Sequence, residues 1–222
     1  MKKMKIAVLL VLILIHFCKA TISIAQTTNR RIQDIEVALP VIDKIFKEYV
    51  DSNHLPGFIY GLVVDGKLIH TLSLGYTDLN KRIPVTPQSC FRIASMTKSF
   101  TAMSILKLRD EGKLKLDDPA YLYVPEMKDQ TYLSKDAVPV TIRNLLIHTA
   151  GFPEDNPWGD RQLAVTDEAM INLIKRGISL SNDPGVDFEY SNLGYAILGY
   201  IIKKVTGQSF QKYITNNILK PL

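Results

Sequence analysis

Only one part of this 222-residue sequence has the pattern of paired β-strands. The run GFIYGLVVDGKLIHTLSLGY, residues 57–76, holds two β-rich segments around Asp65-Gly66, a dipeptide that favours a two-residue hairpin turn. Nothing after residue 76 resembles a third strand, although an isolated two-stranded hairpin is only marginally stable in water. We therefore predict an α+β fold in which helices flank an antiparallel sheet, with an exposed sheet edge through which copies of the chain could form an oligomer.

Most of the remaining chain has the apolar spacing of amphipathic helices. The helix predicted over 30–52 contains Pro40, which indicates either a kink or the true start of the helix. Ser95 is predicted to cap a helix that runs to about Glu111 and stops at Gly112. The other predicted helices are a short one capped by Thr141 and three further ones at 166–176, 192–206 and 208–219.

The first 25 residues have the pattern of a secretory signal peptide. Lysines precede an apolar run of 12 residues, Ile6 to Phe17, and the small residues Ser23 and Ala25 precede the predicted cleavage site. A membrane-spanning helix needs about 20 residues, so this run predicts cleavage rather than a permanent anchor. Cleavage removes four lysines, which lowers the net charge from +5 to +1 and removes the argument for nucleic-acid binding. We expect residues 26–222 to be exported to the periplasm or secreted.

The two cysteines predict no internal disulfide. Cys18 lies in the leader, which leaves Cys90 alone in the mature chain. Cys90 is close in sequence to a candidate site and could be a thiol nucleophile, but a small buried residue is the favoured interpretation.

The segment FRIASMTKSF, residues 91–100, combines a serine at a helix start with a lysine one turn later. Lys98 occupies the position where Glu or Gln would complete a capping box, and a cation there costs roughly 0.3–1 kcal/mol. Such local conflicts tend to fall at functional sites. Because a serine hydroxyl needs a neighbouring base to become a nucleophile, Ser95 and Lys98 form a candidate catalytic pair.

Two other Ser-x-x-Lys pairs, Ser104/Lys107 and Ser209/Lys212, are interpreted as structural because they sit inside or near polar helix faces. Roughly one such pair is expected by chance in a chain of this length. The pattern alone therefore does not identify a site.

A Tyr-x-Asn sequence, Tyr190 and Asn192, lies where a loop meets a predicted helix. A tyrosine beside an ammonium group is a candidate base, and an asparagine amide can both donate to and accept from a substrate amide. The structural alternative is a loop tyrosine followed by a helix-capping asparagine. We expect Asn192 to cap the helix in either case.

Three segments in order, FRIASMTKSFTA, LLIHTAGFP and PGVDFEYSNLGYAILGYIIKKVTGQSF, resemble the serine β-lactamase family of the class C type. That family includes D-alanyl-D-alanine carboxypeptidases and related esterases, and the resemblance covers about residues 31–222. It implies a β-lactamase/transpeptidase-like fold with a helical subdomain, a substrate that is a β-lactam, a D-alanyl peptide or an ester, and no metal or other cofactor.

The resemblance also assigns roles by position. It implies that Ser95 is the nucleophile, Lys98 its activator, Tyr190 the acid/base and Asn192 a substrate-positioning residue. His148 lies in the matching HTAG stretch and is interpreted as a packed turn histidine rather than as a base.

The sequence departs from the family pattern after Asn192, where the third motif, Lys-Thr-Gly or His-x-Gly on a strand, is absent. The tripeptide KRG at 175–177 has a similar form but precedes Tyr190 and falls at a predicted helix end. We therefore expect residues 26–222 to correspond to the N-terminal two-thirds of such a domain, without its C-terminal strands.

Other enzyme classes fit the sequence less well. An α/β-hydrolase would need Gly-x-Ser-x-Gly, and a zinc enzyme would need clustered ligands at regular spacing; the sequence has neither. EAMIN, residues 168–172, resembles a deacylating glutamate motif of class A enzymes but precedes Tyr190 instead of following it. Two alternatives remain open: a penicillin-recognising protein that stays acylated, and an inactive fragment.

Overall fold

A computed structural model describes residues 30–155 and 165–221 of the chain. The predicted leader, residues 1–25, and the loop around Trp158 lie outside the described residues. The chain divides into two compact units, one that ends at Phe91 and one that begins at Arg92. Their helices and small antiparallel sheet confirm the predicted α+β class.

The first unit contains the predicted hairpin. Strand β1, Gly57–Val64, pairs antiparallel with strand β2, Lys67–Asp78. The connecting residues Asp65 and Gly66 have φ angles of 48° and 74°. A two-residue turn whose twist matches that of the strands requires positive φ at both central residues. Asp-Gly adopts these angles easily, which is why this dipeptide predicts the hairpin.

A short third strand, β3, covers Ile83–Pro84 and pairs with β2 opposite Tyr76 and Asp78. The prediction that no strand follows residue 76 is therefore wrong. Two residues are too few to produce a visible alternation, and proline is a residue that normally argues against a strand. Proline is tolerated here because β3 lies at the edge of the sheet, whose order is β1-β2-β3.

Helix α1 spans 30–52 and does not begin at Pro40. Its Phe46 ring packs 4.3 Å from the Tyr60 ring of β1. Asp43 on the same helix accepts hydrogen bonds from the Tyr60 hydroxyl at 2.6 Å and from His70 Nε2 at 2.8 Å. Burial and the bond to Asp43 raise the pKa of Tyr60 to about 12. The sheet of this unit is thus fixed to α1 by both apolar and polar contacts.

The regular elements described in the second unit are helices, joined by turns and by irregular loops such as 128–141 and 176–191. Its helices are α2 (Thr97–Asp110), α3 (Ile142–Leu146), α4 (Asp167–Lys175), α5 (Asn192–Thr206) and α6 (Phe210–Ile214), with 3-10 turns at Ala94–Met96, Ala120–Leu122 and Pro125–Met127 and a wide π-type turn at Thr215–Leu219. Thr141 caps α3, as predicted, and Gly112 follows α2 with a φ of 69°. The predicted helix at 208–219 is divided between α6 and the π-type turn.

Helices α2 and α5 supply much of the apolar core of the second unit. Ile105 and Leu108 of α2 are fully buried, as are Ile197 and Ile201 of α5. Each pair follows the three- or four-residue spacing that places side chains on one helix face. Complete burial of such a side chain contributes about 1.5–3 kcal/mol, so this shared apolar cluster holds the two helices together.

Cys90 is exposed, which contradicts the prediction of a small buried residue. It lies in an irregular segment without an apolar repeat, where sequence gives no indication of burial. Among the described residues, no helix has both the length and the apolar character needed to cross a bilayer.

Replacing Tyr213 by phenylalanine should stabilise the protein. Tyr213 is 3% exposed, and its hydroxyl has no hydrogen-bond partner among the described residues. A buried unpaired polar group costs about 1–3 kcal/mol, and phenylalanine removes that group without leaving a cavity. Chemical denaturation should show a higher free energy of unfolding. Tyr123→Phe is the opposite control, because its hydroxyl donates to Asp118 at 2.7 Å. A destabilised Tyr213→Phe variant would contradict the prediction.

Candidate active site

Ser95 lies in the 3-10 turn that precedes α2, so the prediction that it caps the helix is wrong. The helix begins at Thr97, and no side chain caps it. Ala94, directly before Ser95, has a φ of 44°. A side chain in this left-handed region costs roughly 1–2 kcal/mol, and such strain is concentrated at functional sites. The exposed Ser95 hydroxyl is thereby left free for partners other than the backbone of α2.

Lys98 stands one turn further along and connects the Ser-x-x-Lys and Tyr-x-Asn sequences. Its ammonium nitrogen, Nζ, donates to Ser95 Oγ at 3.1 Å and to Asn192 Oδ1 at 2.6 Å. The same nitrogen lies 4.7 Å from the centre of the Tyr190 ring and 5.6 Å from that of Tyr195. These contacts explain why a lysine occupies a position where the helix alone would favour an acidic residue.

Tyr190 completes the group. Its hydroxyl is 2.6 Å from Ser95 Oγ, a hydrogen bond in which either oxygen can be the donor. The structure therefore brings together all four candidate residues, Ser95, Lys98, Tyr190 and Asn192, although about 95 positions separate the two motifs. A serine hydroxyl with two potential proton carriers at this distance has the geometry that nucleophilic catalysis needs.

Ser191, and not Asn192, caps α5. The Ser191 hydroxyl accepts from Gly194 N at 3.1 Å, and the residue is 3% exposed. The prediction of an Asn192 cap is therefore wrong, because a serine immediately before it takes this role. Because Ser191 caps the helix, the Asn192 side chain is free to accept the hydrogen bond from Lys98.

Asp155 is a residue of the site that sequence reasoning missed. Its carboxylate accepts from Asn192 N at 2.6 Å, from Leu193 N at 2.7 Å and from the Ser191 hydroxyl at 3.2 Å. A carboxylate at a helix N-terminus satisfies N–H groups that have no partner within the helix and complements the helix dipole. No local pattern marks Asp155, which lies 37 positions before Asn192.

His148 is a half-buried residue of the turn after α3, which agrees with the predicted turn position. Its Nδ1 accepts from Ser191 N at 3.0 Å, and its ring centre lies 4.7 Å from that of Tyr190 and 5.0 Å from that of Tyr195. Burial, together with the nearby positive charge of Lys98, lowers the pKa of His148 below its ordinary value.

The other two Ser-x-x-Lys pairs have structural contacts. Ser104 is fully buried, and its hydroxyl donates to the Phe100 carbonyl at 2.8 Å, so its expected place near a polar helix face was wrong. Lys107 instead pairs with Glu111 at 3.1 Å. The Ser209 hydroxyl caps α6 by accepting from Lys212 N at 3.3 Å.

Two further sequence matches have no place in this group. Glu168, from the EAMIN segment, is exposed in the first turn of α4. The KRG tripeptide at 175–177 ends the same helix, with a φ of 86° at Gly177.

A cavity of about 740 Å³ opens beside Ser95, Lys98 and Asn192. Its lining is more apolar than polar and includes Met170, Tyr200 and Phe210. Small-molecule sites commonly have this size and this combination of an apolar lining with a few polar groups.

Replacing Asp155 by alanine should lower the free energy of unfolding and also disturb the position of Asn192 in the site. The change leaves two backbone N–H groups of α5 without their acceptor, at a cost of about 1–3 kcal/mol. The start of α5 then holds Asn192 less firmly against Lys98. Chemical denaturation and the rate of acylation by a β-lactam would measure the two effects. Asp187→Ala, in the exposed loop before α5, is the control and should change neither. Unchanged stability in Asp155→Ala would show that the carboxylate is dispensable.

Comparison with known proteins places the chain in a family. A family model described as Beta-lactamase matches residues 42–222. Protein flp of Staphylococcus aureus (strain N315) is 41% identical over 185 residues, which is 82% of this chain and 36% of flp.

Solved structures with the same fold include the following two. The octameric penicillin-binding protein homologue from Pyrococcus abyssi has a TM-score of 0.68 and 32% identity, over 82% of this chain and 42% of that one. A class C beta-lactamase in complex with cefoxitin has a TM-score of 0.69 and 26% identity, over 84% of this chain and 50% of that one. The chain thus spans half or less of the length of each of these proteins. Because the family model covers most of its sequence, the chain belongs to the beta-lactamase family and has a β-lactamase/transpeptidase-like fold.

Proposed function

We propose that the protein is an exported serine hydrolase that forms an acyl-enzyme on Ser95. One observation carries the proposal: Ser95 Oγ lies 2.6 Å from the Tyr190 hydroxyl and 3.1 Å from Lys98 Nζ. Family membership supports the same type of chemistry. The leader pattern of residues 1–25 supports export.

In the first half-reaction, Ser95 Oγ attacks the carbonyl carbon of the substrate. Tyr190 acts as the base in its phenolate form, whose negative charge the Lys98 ammonium, 4.7 Å from the ring centre, stabilises. As the new O–C bond forms, the serine proton passes to the phenolate oxygen of Tyr190, which becomes a neutral hydroxyl. The bond from the carbonyl carbon to the leaving group then breaks, and Tyr190 returns the proton to the departing nitrogen or oxygen. The product is an ester between Ser95 and the acyl group.

The second half-reaction reverses these proton movements with water as the nucleophile. Tyr190 takes a proton from water as the water oxygen attacks the ester carbonyl, and the same proton then returns to Ser95 Oγ. The products are a carboxylic acid and the free serine. Lys98 remains the fixed positive charge, held by its bond to Asn192 Oδ1.

The substrate is proposed to be a small molecule with a β-lactam, D-alanyl amide or ester carbonyl. The cavity beside Ser95 has room for the acyl side group, and its mainly apolar lining favours an apolar one. The Asn192 side chain would orient the amide of a β-lactam or peptide, since its amide group can donate to a carbonyl.

Time-resolved intact mass measurement after addition of a β-lactam tests this proposal. An adduct that forms and then disappears is the expected result for a hydrolase. A persistent adduct would support a penicillin-recognising protein that stays acylated. The absence of an adduct, together with no turnover of a nitrophenyl ester, would overturn the proposal.

Association of copies is proposed to use strand β1, the longer of the two edge strands of the described sheet. An outer strand exposes unpaired backbone groups to a second strand, and lysine on such a strand opposes pairing. Val63 on β1 is 64% exposed, so Val63→Lys should lower the mass measured by light scattering while turnover persists. An unchanged mass would argue against this edge as the interface.

A further inference from the structure

His148 contacts the chain on both sides of Tyr190. Its carbonyl oxygen accepts from Glu189 N at 2.8 Å, and its Nδ1 accepts from Ser191 N at 3.0 Å. Its ring also packs against the ring of Tyr190 itself, 4.7 Å between centres. One residue therefore binds the residue before Tyr190, the residue after it and its side chain, which fixes where the tyrosine hydroxyl points.

The bond from Ser191 N requires one chemical form of the imidazole. Nδ1 must present a lone pair, so the ring is neutral with its proton on Nε2. Protonation would place an N–H group at Nδ1, directly facing the Ser191 N–H, and the bond would be lost. The contact that holds the far side of Tyr190 exists only while His148 is uncharged.

The charged and titratable groups around His148 come from several segments. Lys98 of α2 disfavours a positive charge on the ring, and Asp155 favours it. Tyr190 of the preceding loop and Tyr195 of α5 contribute their rings. Burial has the largest influence and, like Lys98, lowers the pKa of His148. The surroundings therefore keep the ring neutral at neutral pH, as the hydrogen bond demands.

The backbone of His148 is strained, with a φ of 58°. Histidine, like asparagine and aspartate, enters this left-handed region more often than most residues with a side chain. The conformation points the His148 carbonyl and imidazole so that both accept hydrogen bonds from the segment around Tyr190.

We propose that His148 is a positioning residue for Tyr190, acting in its neutral form, so that acylation of Ser95 fails when His148 takes up a proton. This inference rests on the proposed function, because it matters only if Tyr190 carries a proton for Ser95. Among the described residues, His148 does not line the cavity beside Ser95 and makes no hydrogen bond to Ser95 Oγ, Lys98 Nζ or the Tyr190 hydroxyl. It acts through the orientation of the tyrosine hydroxyl at 2.6 Å from Ser95 Oγ.

Two substitutions separate the acceptor from the ring. His148→Asn retains an oxygen acceptor near the Nδ1 position, tolerates the positive φ and cannot titrate. His148→Phe retains an aromatic ring but removes the acceptor. His54 provides a matched control, because it is exposed and has a similar φ of 51°. His54→Asn should leave the pH profile unchanged.

The measurement is the pH dependence of ester or β-lactam turnover in the protein and its variants. We expect the turnover rate of the wild-type protein to decrease at acid pH. This decrease should be absent in His148→Asn. His148→Phe should lower kcat by roughly 10- to 100-fold, the range expected for a misplaced reacting group, with KM within about threefold. An unaltered acid limb in His148→Asn, or wild-type kcat in His148→Phe, would overturn the inference.

A spectroscopic arm is independent of turnover and of the folding of His148→Phe. Nitrogen-15 chemical shifts of the imidazoles should show His148 Nδ1 as an unprotonated acceptor at neutral pH, with a titration midpoint below the ordinary value for histidine. A protonated Nδ1 at neutral pH would overturn the inference. Ser95→Ala separates this inference from the proposed function. If Ser95→Ala still formed the adduct, the proposed function itself would fail. If Ser95→Ala lost the adduct but the His148 variants behaved like the wild type, only the inference about His148 would fail.

Discussion

Replacing Ser95 by alanine should abolish the covalent adduct with a β-lactam. Among the described residues, its Oγ is the only side-chain oxygen that is hydrogen-bonded to both the Tyr190 hydroxyl and Lys98 Nζ. Lys98→Ala should slow acylation by about 10² or more, the usual scale for a group that supports proton transfer. The second change also removes the partner of Asn192 Oδ1 and the charge above the Tyr190 ring. Intact mass measurement detects the adduct, and stopped-flow kinetics with a chromogenic cephalosporin gives the acylation rate.

The other Ser-x-x-Lys pairs provide matched controls. Ser104→Ala removes a bond to a helix carbonyl, and Ser209→Ala removes a helix cap worth about 1 kcal/mol. Both variants should be somewhat less stable and should still form the adduct at a wild-type rate. If Ser104→Ala or Ser209→Ala lost the adduct while Ser95→Ala kept it, the choice of nucleophile among the three pairs would be wrong.

Features that depend on neighbouring residues were predictable from the sequence. The Asp65-Gly66 turn requires two positive φ angles that this dipeptide adopts easily, and the hairpin forms where it was predicted. The Thr141 cap and the bounds of α5 at Asn192–Thr206 follow from equally local signals. In each case interactions within a few residues determine the local conformation, so the rest of the fold does not alter it.

The roles of Ser95 and Asn192, by contrast, were not predictable from their positions at helix starts. Ser95 was expected to cap α2, but its hydroxyl binds Tyr190 and Lys98 instead. Asn192 was expected to cap α5, but Ser191 does so. A capping residue and a site residue share the same short polar chemistry, and only contacts between distant segments distinguish them.

Long-range contacts account for the remaining differences. Asp155 belongs to the site through bonds to residues more than 30 positions away, and no periodic pattern marks such a contact. Cys90 and Ser104 were assigned the wrong exposure, because residue type and local pattern do not determine what packs over a side chain. The two-residue strand β3 is defined by its partner β2 rather than by its own sequence.

These contacts form one connected arrangement at the start of α5. Ser191 caps the helix, and Asp155 binds its first N–H groups, so the Asn192 side chain is available to hold Lys98. Lys98 in turn reaches Ser95, whose position depends on the strained Ala94. The favourable caps of α5 thus offset, in part, the unfavourable lysine and backbone strain at the start of α2.

Replacing Tyr190 by phenylalanine should cut turnover by about 10²–10⁴ with little change in stability. The change keeps the ring that lies 4.7 Å from Lys98 Nζ and packs against His148, and it removes only the hydroxyl. That hydroxyl bonds to the exposed Ser95, so its loss should alter the free energy of unfolding by no more than about 0.5–1.5 kcal/mol. Both acylation and deacylation should slow, since the same oxygen carries the proton in each.

Tyr123→Phe is the matched control for this prediction, because it also removes one tyrosine hydroxyl that forms a single strong side-chain bond. The Tyr123 hydroxyl donates to the Asp118 carboxylate at 2.7 Å, away from the proposed reaction. Tyr123→Phe should therefore lower stability by about 1 kcal/mol and leave turnover near wild type, the reverse of the Tyr190→Phe result. Denaturation curves and steady-state kinetics on both variants give the comparison. Wild-type turnover by Tyr190→Phe would remove Tyr190 from the mechanism and leave Lys98, 3.1 Å from Ser95 Oγ, as the base.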